Sequence, residues 1–183
     1  DEHDACGLAS VVALRGEASH EIVALALQAL ENLEHRGAVG SDTGTGDGAG
    51  LLCELPDRFL RSLLLQRTPE VHLPQAGRYA TGLIFLPQGS AERRAVKYRI
   101  SAIAAEEGLE TLTWREVAVR PETLGAAAKD AAPSIEQLFL VAKAGSGFDE
   151  QRLERAAFRT RKRLQHETSA YAPSLSSRTI VYK

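Results

Sequence analysis

Cysteine is scarce in this chain. Only Cys6 and Cys53 occur, too few for the disulfide framework of a small secreted domain. One bridge between them is formally open, but the count fits a reducing cytosol better, so a cytoplasmic location is expected. No CxxC or HxxxH spacing accompanies them, and metal binding by this pair has no support. No run of about 18 apolar residues exists to span a membrane. The amino terminus, Asp1-Glu2-His3-Asp4, is acidic and lacks the basic-then-apolar order of a secretory signal. A basic excess is missing as well. The formal net charge is −2, so the whole molecule has no electrostatic pull toward nucleic acid or an acidic membrane. No G-x-S-x-G elbow, internal repeat or low-complexity block is present.

What remains is an ordinary globular balance, 44% apolar and 25% charged over 183 residues. That is enough for one domain with a sizeable core. The apolar run at 8–14 reads as a buried strand, and Arg15-Gly16-Glu17 as a turn. Ser19 is a candidate N-cap. Ile22, Leu25, Ala26, Ala29, Leu30 and Leu33 recur at helical spacing, which predicts an amphipathic helix over 20–34. A glycine-dense loop follows at 35–50. Further strands are expected at 49–55, 78–86, 109–119, 135–142 and from 174 onward. Helices are expected at 57–66, 91–107 and 149–166, with Gly108 as a C-cap and 121–133 as a loop holding one helical turn. Alternating strands and helices point to an α/β chain, and pattern alone favours a parallel sheet.

The loop at 43–50 contains Gly44-Thr45-Gly46-Asp47-Gly48-Ala49, a GxGxxA string. A dinucleotide fingerprint needs a strand before it and a helix after it. Here a helix precedes and a short strand follows, so nucleotide binding is disfavoured. Backbone that must approach an active centre closely is the preferred reading of these glycines. The helix at 149–166 carries Arg152, Arg155, Arg159, Arg161, Lys162 and Arg163. In a slightly acidic domain this stripe reads as a solvated or interdomain face, not a nucleic-acid surface.

Cys6 is the residue with chemical promise. It could be a small apolar residue opening a strand. However, Gly7 beside it would let a substrate approach, and the five residues before it are short and polar. With 1–5 removed, the thiol would lie within reach of a free α-amine. Amine and thiol pKa values of about 7.7–8.0 and about 8.5 are close enough for proton transfer at neutral pH. With residues 1–5 attached that base is an amide, and the expected loss is about 10²–10⁴ in rate.

Four strings in order carry a resemblance: Cys6-Gly7; Leu33-Glu34-His35-Arg36-Gly37-Ala38; Thr45-Gly46-Asp47-Gly48-Ala49-Gly50; and Ser174 through Lys183, SLSSRTIVYK. With Ser19-His20-Glu21-Ile22-Val23 and Ile135-Glu136-Gln137-Leu138-Phe139, they resemble the amino-terminal glutaminase domain of glutamate synthase large subunits. That domain is a class II glutamine amidotransferase and an N-terminal-nucleophile hydrolase. The resemblance implies a four-layer αββα sandwich of mainly antiparallel sheets, an α+β arrangement that displaces the parallel-sheet reading. It implies residues 1–5 as a propeptide remnant and 6–183 as the first portion of the domain. Cys6 is then the nucleophile that converts glutamine to glutamate and ammonia. Arg36-Gly37 would pack beside it, a buried guanidinium offering its fork of donors, and Asp47 would order the glycine loop.

The family's Asn-Gly-Glu-Ile-Asn string, which supplies the oxyanion hole, does not occur in these residues. Nor does its Arg-x-Ser-x-Asn segment, so the chain is expected to be incomplete and inactive by itself. One oxyanion donor is worth about 2.7–4 kcal/mol. No cofactor is expected in this chain; FMN and an iron–sulfur cluster are expected in the full-length parent. Expected partners are glutamine, the remaining domains of the large subunit and a small reductase subunit, with neither nucleic acid nor membrane. A non-catalytic binding module on the same scaffold, or another N-terminal-nucleophile amidohydrolase, is the alternative.

Overall fold

A computed structural model describes residues 7–37, 46 and 48–183. The elements run α1 (His20–Asn32), β1 (Leu51–Glu54), α2 (Asp57–Arg67), β2 (Tyr79–Leu86), α3 (Ser90–Glu106), β3 (Leu109–Glu116), α4 (Ala126–Ala131), β4 (Ser134–Ala142), α5 (Glu150–Glu167) and β5 (Thr179–Tyr182). Short 3-10 turns occupy Glu34–Arg36 and Pro121–Thr123. Two compact units emerge, one from segments 1–51, 120–131 and 183, the other from 52–119 and 132–182.

In the first unit α1 follows Ser19 as expected, although no side chain caps it. Ile22, Ala26, Ala29, Leu30 and Leu33 are half-buried and mark the predicted stripe, while Leu25 is exposed. The strand expected at 8–14 is not formed. Val11 and Ala13 are half-buried and Val12 and Leu14 exposed, a strand-like alternation without a ladder. A strand exists only when a neighbour accepts its backbone bonds. Among the described residues this segment has only the turn bond from Gly16 N–H to Ala13 O, 2.9 Å.

The second unit is built on a three-stranded sheet in the order β2-β4-β3, with β4 antiparallel to both neighbours. This corrects the parallel reading drawn from strand–helix alternation and agrees with the antiparallel expectation. The physical reason is a split crossover. β2 and β3 point the same way and α3 connects them, but β4 inserts between them from later in the chain. Local alternation cannot report such an insertion.

Period-two alternation divides the sheet's faces. Ala80, Ile84, Leu86, Leu138 and Leu140 pack with Val96, Ile100 and Ile103 of α3 and Leu153, Ala156, Ala157 and Leu164 of α5. On the opposite face Tyr79 and Phe139 pack with Leu60 and Leu64 of α2. Both faces of these strands are therefore covered, which is why β2 and β4 are mostly apolar. Burying one Leu or Phe side chain contributes about 1.5–3 kcal/mol. α5 begins at an Asp149 cap whose carboxylate accepts the Arg152 N–H at 2.7 Å, and α3 ends before Gly108 at φ +81.

The free edge of β2 is bridged by the segment leading into β5, through Phe85–Tyr171 and Thr81–Ser176. That segment continues into β5, which pairs with β1 in a second, two-stranded sheet.

Candidate active site

Two of the four sequence-predicted site residues, Cys6 and Asp47, lie outside the described residues. The other two, Arg36 and Gly37, stand at the carboxyl end of α1. Leu33 ends the helix, Arg36 N–H donates to Leu33 O at 2.9 Å, and Gly37 N–H donates to Glu34 O at 3.0 Å. His35 Nδ1 lies 3.0 Å from Asn32 O. Arg36 is exposed among the described residues. Its backbone closes the turn after the helix while its side chain faces outward.

Gly7 joins this turn. A Cβ placed on Gly7 would stand 3.0 Å from Leu33 Cδ2 and 3.2 Å from Leu33 Cβ. The residue after Cys6 thus packs on the helix end that carries Glu34-His35-Arg36-Gly37. The missing side chain leaves room for Leu33. A leucine against a glycine is a short-range apolar contact that fixes chain direction.

Cys53, the other thiol, is a half-buried free cysteine on β1. Burial raises its pKa, and the neighbouring carboxylate of Glu54 adds to the rise. A thiol held protonated is a poor nucleophile.

Sequence reading missed a polar relay inside the second unit. Thr81 Oγ donates to Leu138 O at 2.7 Å, and Gln137 Nε2 donates to Thr81 Oγ at 3.1 Å. Gln137 Oε1 accepts from Arg115 Nε at 3.1 Å and Nη2 at 2.7 Å. Thr81 and Gln137 are fully buried, and burial lowers the Arg115 pKa. Every member has a partner, so the relay fixes β2, β4 and β3 in register and offers no reactive group. The available signal was a Glu136-Gln137 pair within a mostly apolar strand.

A second cluster locks the SLSSR string. Glu154 of α5 accepts from Ser176 Oγ, Ser177 N–H and Ser177 Oγ, each at 2.7 Å. Ser176 Oγ in turn accepts from the Arg178 and Thr179 amides at 3.0 and 3.2 Å. The entry to β5 is therefore set by side chains of α5 and by the turn itself.

On α5 the solvated reading holds for part of the basic stripe. Arg159 and Arg163 pair with Glu107 at 2.6 and 3.1 Å, and Arg163 also with Glu106 and Glu167. Among the described residues no group of three His, Cys, Asp or Glu side chains could hold a metal ion. No helix among them is long and apolar enough to cross a membrane.

Comparison with known proteins matches residues 6–183 to the model of the class II glutamine amidotransferases. The large chain of the NADPH glutamate synthase of Bacillus subtilis is 38% identical over 187 residues, covering 100% of this chain and 12% of that protein. Ferredoxin-dependent glutamate synthase 2 of Synechocystis is 38% identical, with the same coverage. The NADH glutamate synthase of Schizosaccharomyces pombe is 36% identical over 190 residues, covering 100% of this chain and 9% of that protein. The chain thus spans about an eighth or less of the relatives it matches. A family match from Cys6 to the last residue, with full-length coverage by these relatives, shows that the chain belongs to the class II glutamine amidotransferases.

Proposed function

We propose that this chain is the glutaminase portion of a glutamate synthase and that Cys6 is its nucleophile once residues 1–5 are removed. The observation that carries the reading is the family match, which begins at Cys6 itself. The raised pKa of Cys53 supports it by leaving that thiol unsuited to the role.

In this reading the freed α-amine of Cys6 takes the thiol proton. The sulfur then attacks the side-chain amide carbon of glutamine. As the C–N bond breaks, the nitrogen leaves as ammonia with the proton returned by the ammonium, and a glutamyl thioester remains. Water hydrolyses the thioester, giving glutamate and restoring the thiol. Arg36 and Gly37 serve this centre by shaping the turn against which Gly7 packs. Asp47 orders the loop around Gly46 and Gly48.

Ammonia passes within the parent polypeptide to a domain that reductively aminates 2-oxoglutarate. FMN and an iron–sulfur cluster are assigned to those other domains; a four-cysteine cluster would need more thiolates than the two in this chain. A small reductase subunit is a further partner, and the cytoplasm the proposed location.

The test uses the full-length parent. The mature protein should begin at Cys6 by intact mass. Cys6→Ala should abolish glutamine hydrolysis while ammonia-dependent glutamate formation persists, and Cys53→Ala should leave both. Hydrolysis retained in Cys6→Ala would contradict the proposal.

A further inference from the structure

The cations of α5 divide into paired and unpaired ones. Arg159 and Arg163 are neutralised by Glu106, Glu107 and Glu167. Arg155, Phe158 and Lys162 follow the spacing i, i+3, i+7 and share a face whose margin carries the paired Arg159. Arg155 and Lys162 are exposed, and Phe158 is 51% exposed. The Lys162 ammonium and the Arg161 guanidinium lie 5.9 and 5.7 Å from the Phe158 ring centroid. Arg161 donates one N–H to Pro173 O at 2.8 Å, while its buried Nε has no hydrogen-bond partner. Among the described residues none of Arg155, Arg161 and Lys162 has a carboxylate at ion-pair distance.

An aromatic ring ringed by uncompensated cations is the composition of a binding face, where aromatic residues and arginine are enriched. Its charge selects an acidic occupant. A nucleic-acid backbone fits poorly, because it needs an extended basic surface and the whole chain is net negative, whereas a local acidic patch needs only these few cations. We propose that the Arg155–Phe158–Lys162 face docks an acidic patch on another domain of the parent polypeptide. This rests on the reading that the chain is one part of a larger synthase. Carboxylates of the patch neutralise Arg155 and Lys162, and its apolar centre covers Phe158. The cation–π contacts hold the charges of Arg161 and Lys162 beside the ring until the partner arrives.

The test is zero-length carbodiimide coupling of the full-length parent, read by peptide mass. The reagent joins a lysine amine to a carboxylate already in contact, with loss of water. The expected product links Lys162 to an Asp or Glu of the same polypeptide outside the amidotransferase domain, and a link to the remainder of that domain would count against the proposal. In parent carrying Arg155→Glu and Phe158→Ala that product should fall at least several-fold, and amide exchange across 150–167 should quicken. A Lys162 link confined to acids of this chain, to a second copy or to a separate subunit would overturn the proposal, as would a Lys162 that stays uncoupled. So would retention on immobilised DNA that the double variant loses. The coupling needs no glutamine turnover. An inert Cys6 with a coupled Lys162 therefore keeps the docking and loses the glutaminase reading, and the reverse result does the opposite.

Discussion

The carbonyl of Ser174 occupies the space a side chain would need at Gly82: a Cβ there would stand 2.0 Å from Ser174 O and 2.9 Å from Ser174 C. Gly82 is central in β2 and lies between the bridges Thr81–Ser176 and Phe85–Tyr171. Backbone meets backbone at this point, and no side-chain rotation can relieve the clash. Gly82→Ala should cost about 1–3 kcal/mol or more, read as a lower denaturant midpoint. Amide exchange should quicken first at Ser176 and Tyr171, the partners across that edge.

Glu154 holds the same segment from the helix side. Glu154→Ala leaves Ser176 Oγ, Ser177 N–H and Ser177 Oγ without their acceptor, at residues only 7% and 4% exposed. A loss of about 3 kcal/mol, the upper end of the usual range for one substitution, is expected. Glu154→Gln keeps one carbonyl acceptor and should lose less. Equal losses for the two variants in chemical denaturation would show that packing, not hydrogen bonding, sets the cost.

Asp57 gives the fold an acid-sensitive contact. Arg61 donates to both carboxylate oxygens, at 2.8 and 3.0 Å, and the Tyr79 hydroxyl donates at 2.9 Å. Its pKa is lowered, by the Arg61 hydrogen bonds above all and also by Tyr79. A carboxylate with a depressed folded pKa contributes stability above its unfolded pKa of about 3.9, and that contribution disappears as pH falls through the folded value. Wild type should therefore lose stability more steeply than Asp57→Asn below about pH 4. At neutral pH Asp57→Asn should be weaker by about 1.5–3 kcal/mol, toward the low end because the Arg61 side chain is 38% exposed. Parallel pH profiles for the two proteins would contradict this.

Cys53 should alkylate more slowly than a free cysteine peptide at neutral pH, with its rate rising at a higher pH than the peptide's. Glu54→Gln should move that profile partway back, since burial is the larger cause. An iodoacetamide rate profile checks both statements.

Much of the fold could be read from residue patterns because its signals are local. Helical spacing located α1, α2, α3 and α5, and Gly108 marked the end of α3. The direction of β4 was not legible, because a strand that inserts between β2 and β3 leaves no trace in either. The segment at 8–14 shows the converse. Its apolar alternation is strand-like, yet a ladder needs a neighbour that composition cannot supply. At the site, the order of four short strings identified the family, whereas the helix was expected to run to 34 and the Glu34–Arg36 turn was not foreseen. The burial of Arg36 and the purpose of Gly7 depend on which atoms fill the adjacent space, which no string of residues specifies. The Arg115–Gln137–Thr81 relay was missed because a glutamine within a strand does not reveal its partners on the two neighbouring strands.

The central claim is that Cys6, freed of residues 1–5, is the nucleophile. Its most direct test is labelling of the full-length parent with a glutamine analogue that carries a chloroketone in place of the side-chain amide, followed by peptide mapping. The account predicts one adduct, on Cys6, formed by protein that begins at Cys6 and suppressed by excess glutamine, with protein retaining 1–5 labelled about 10²–10⁴-fold more slowly. Labelling at Cys53, or equal labelling of Cys6 with and without residues 1–5, would contradict it.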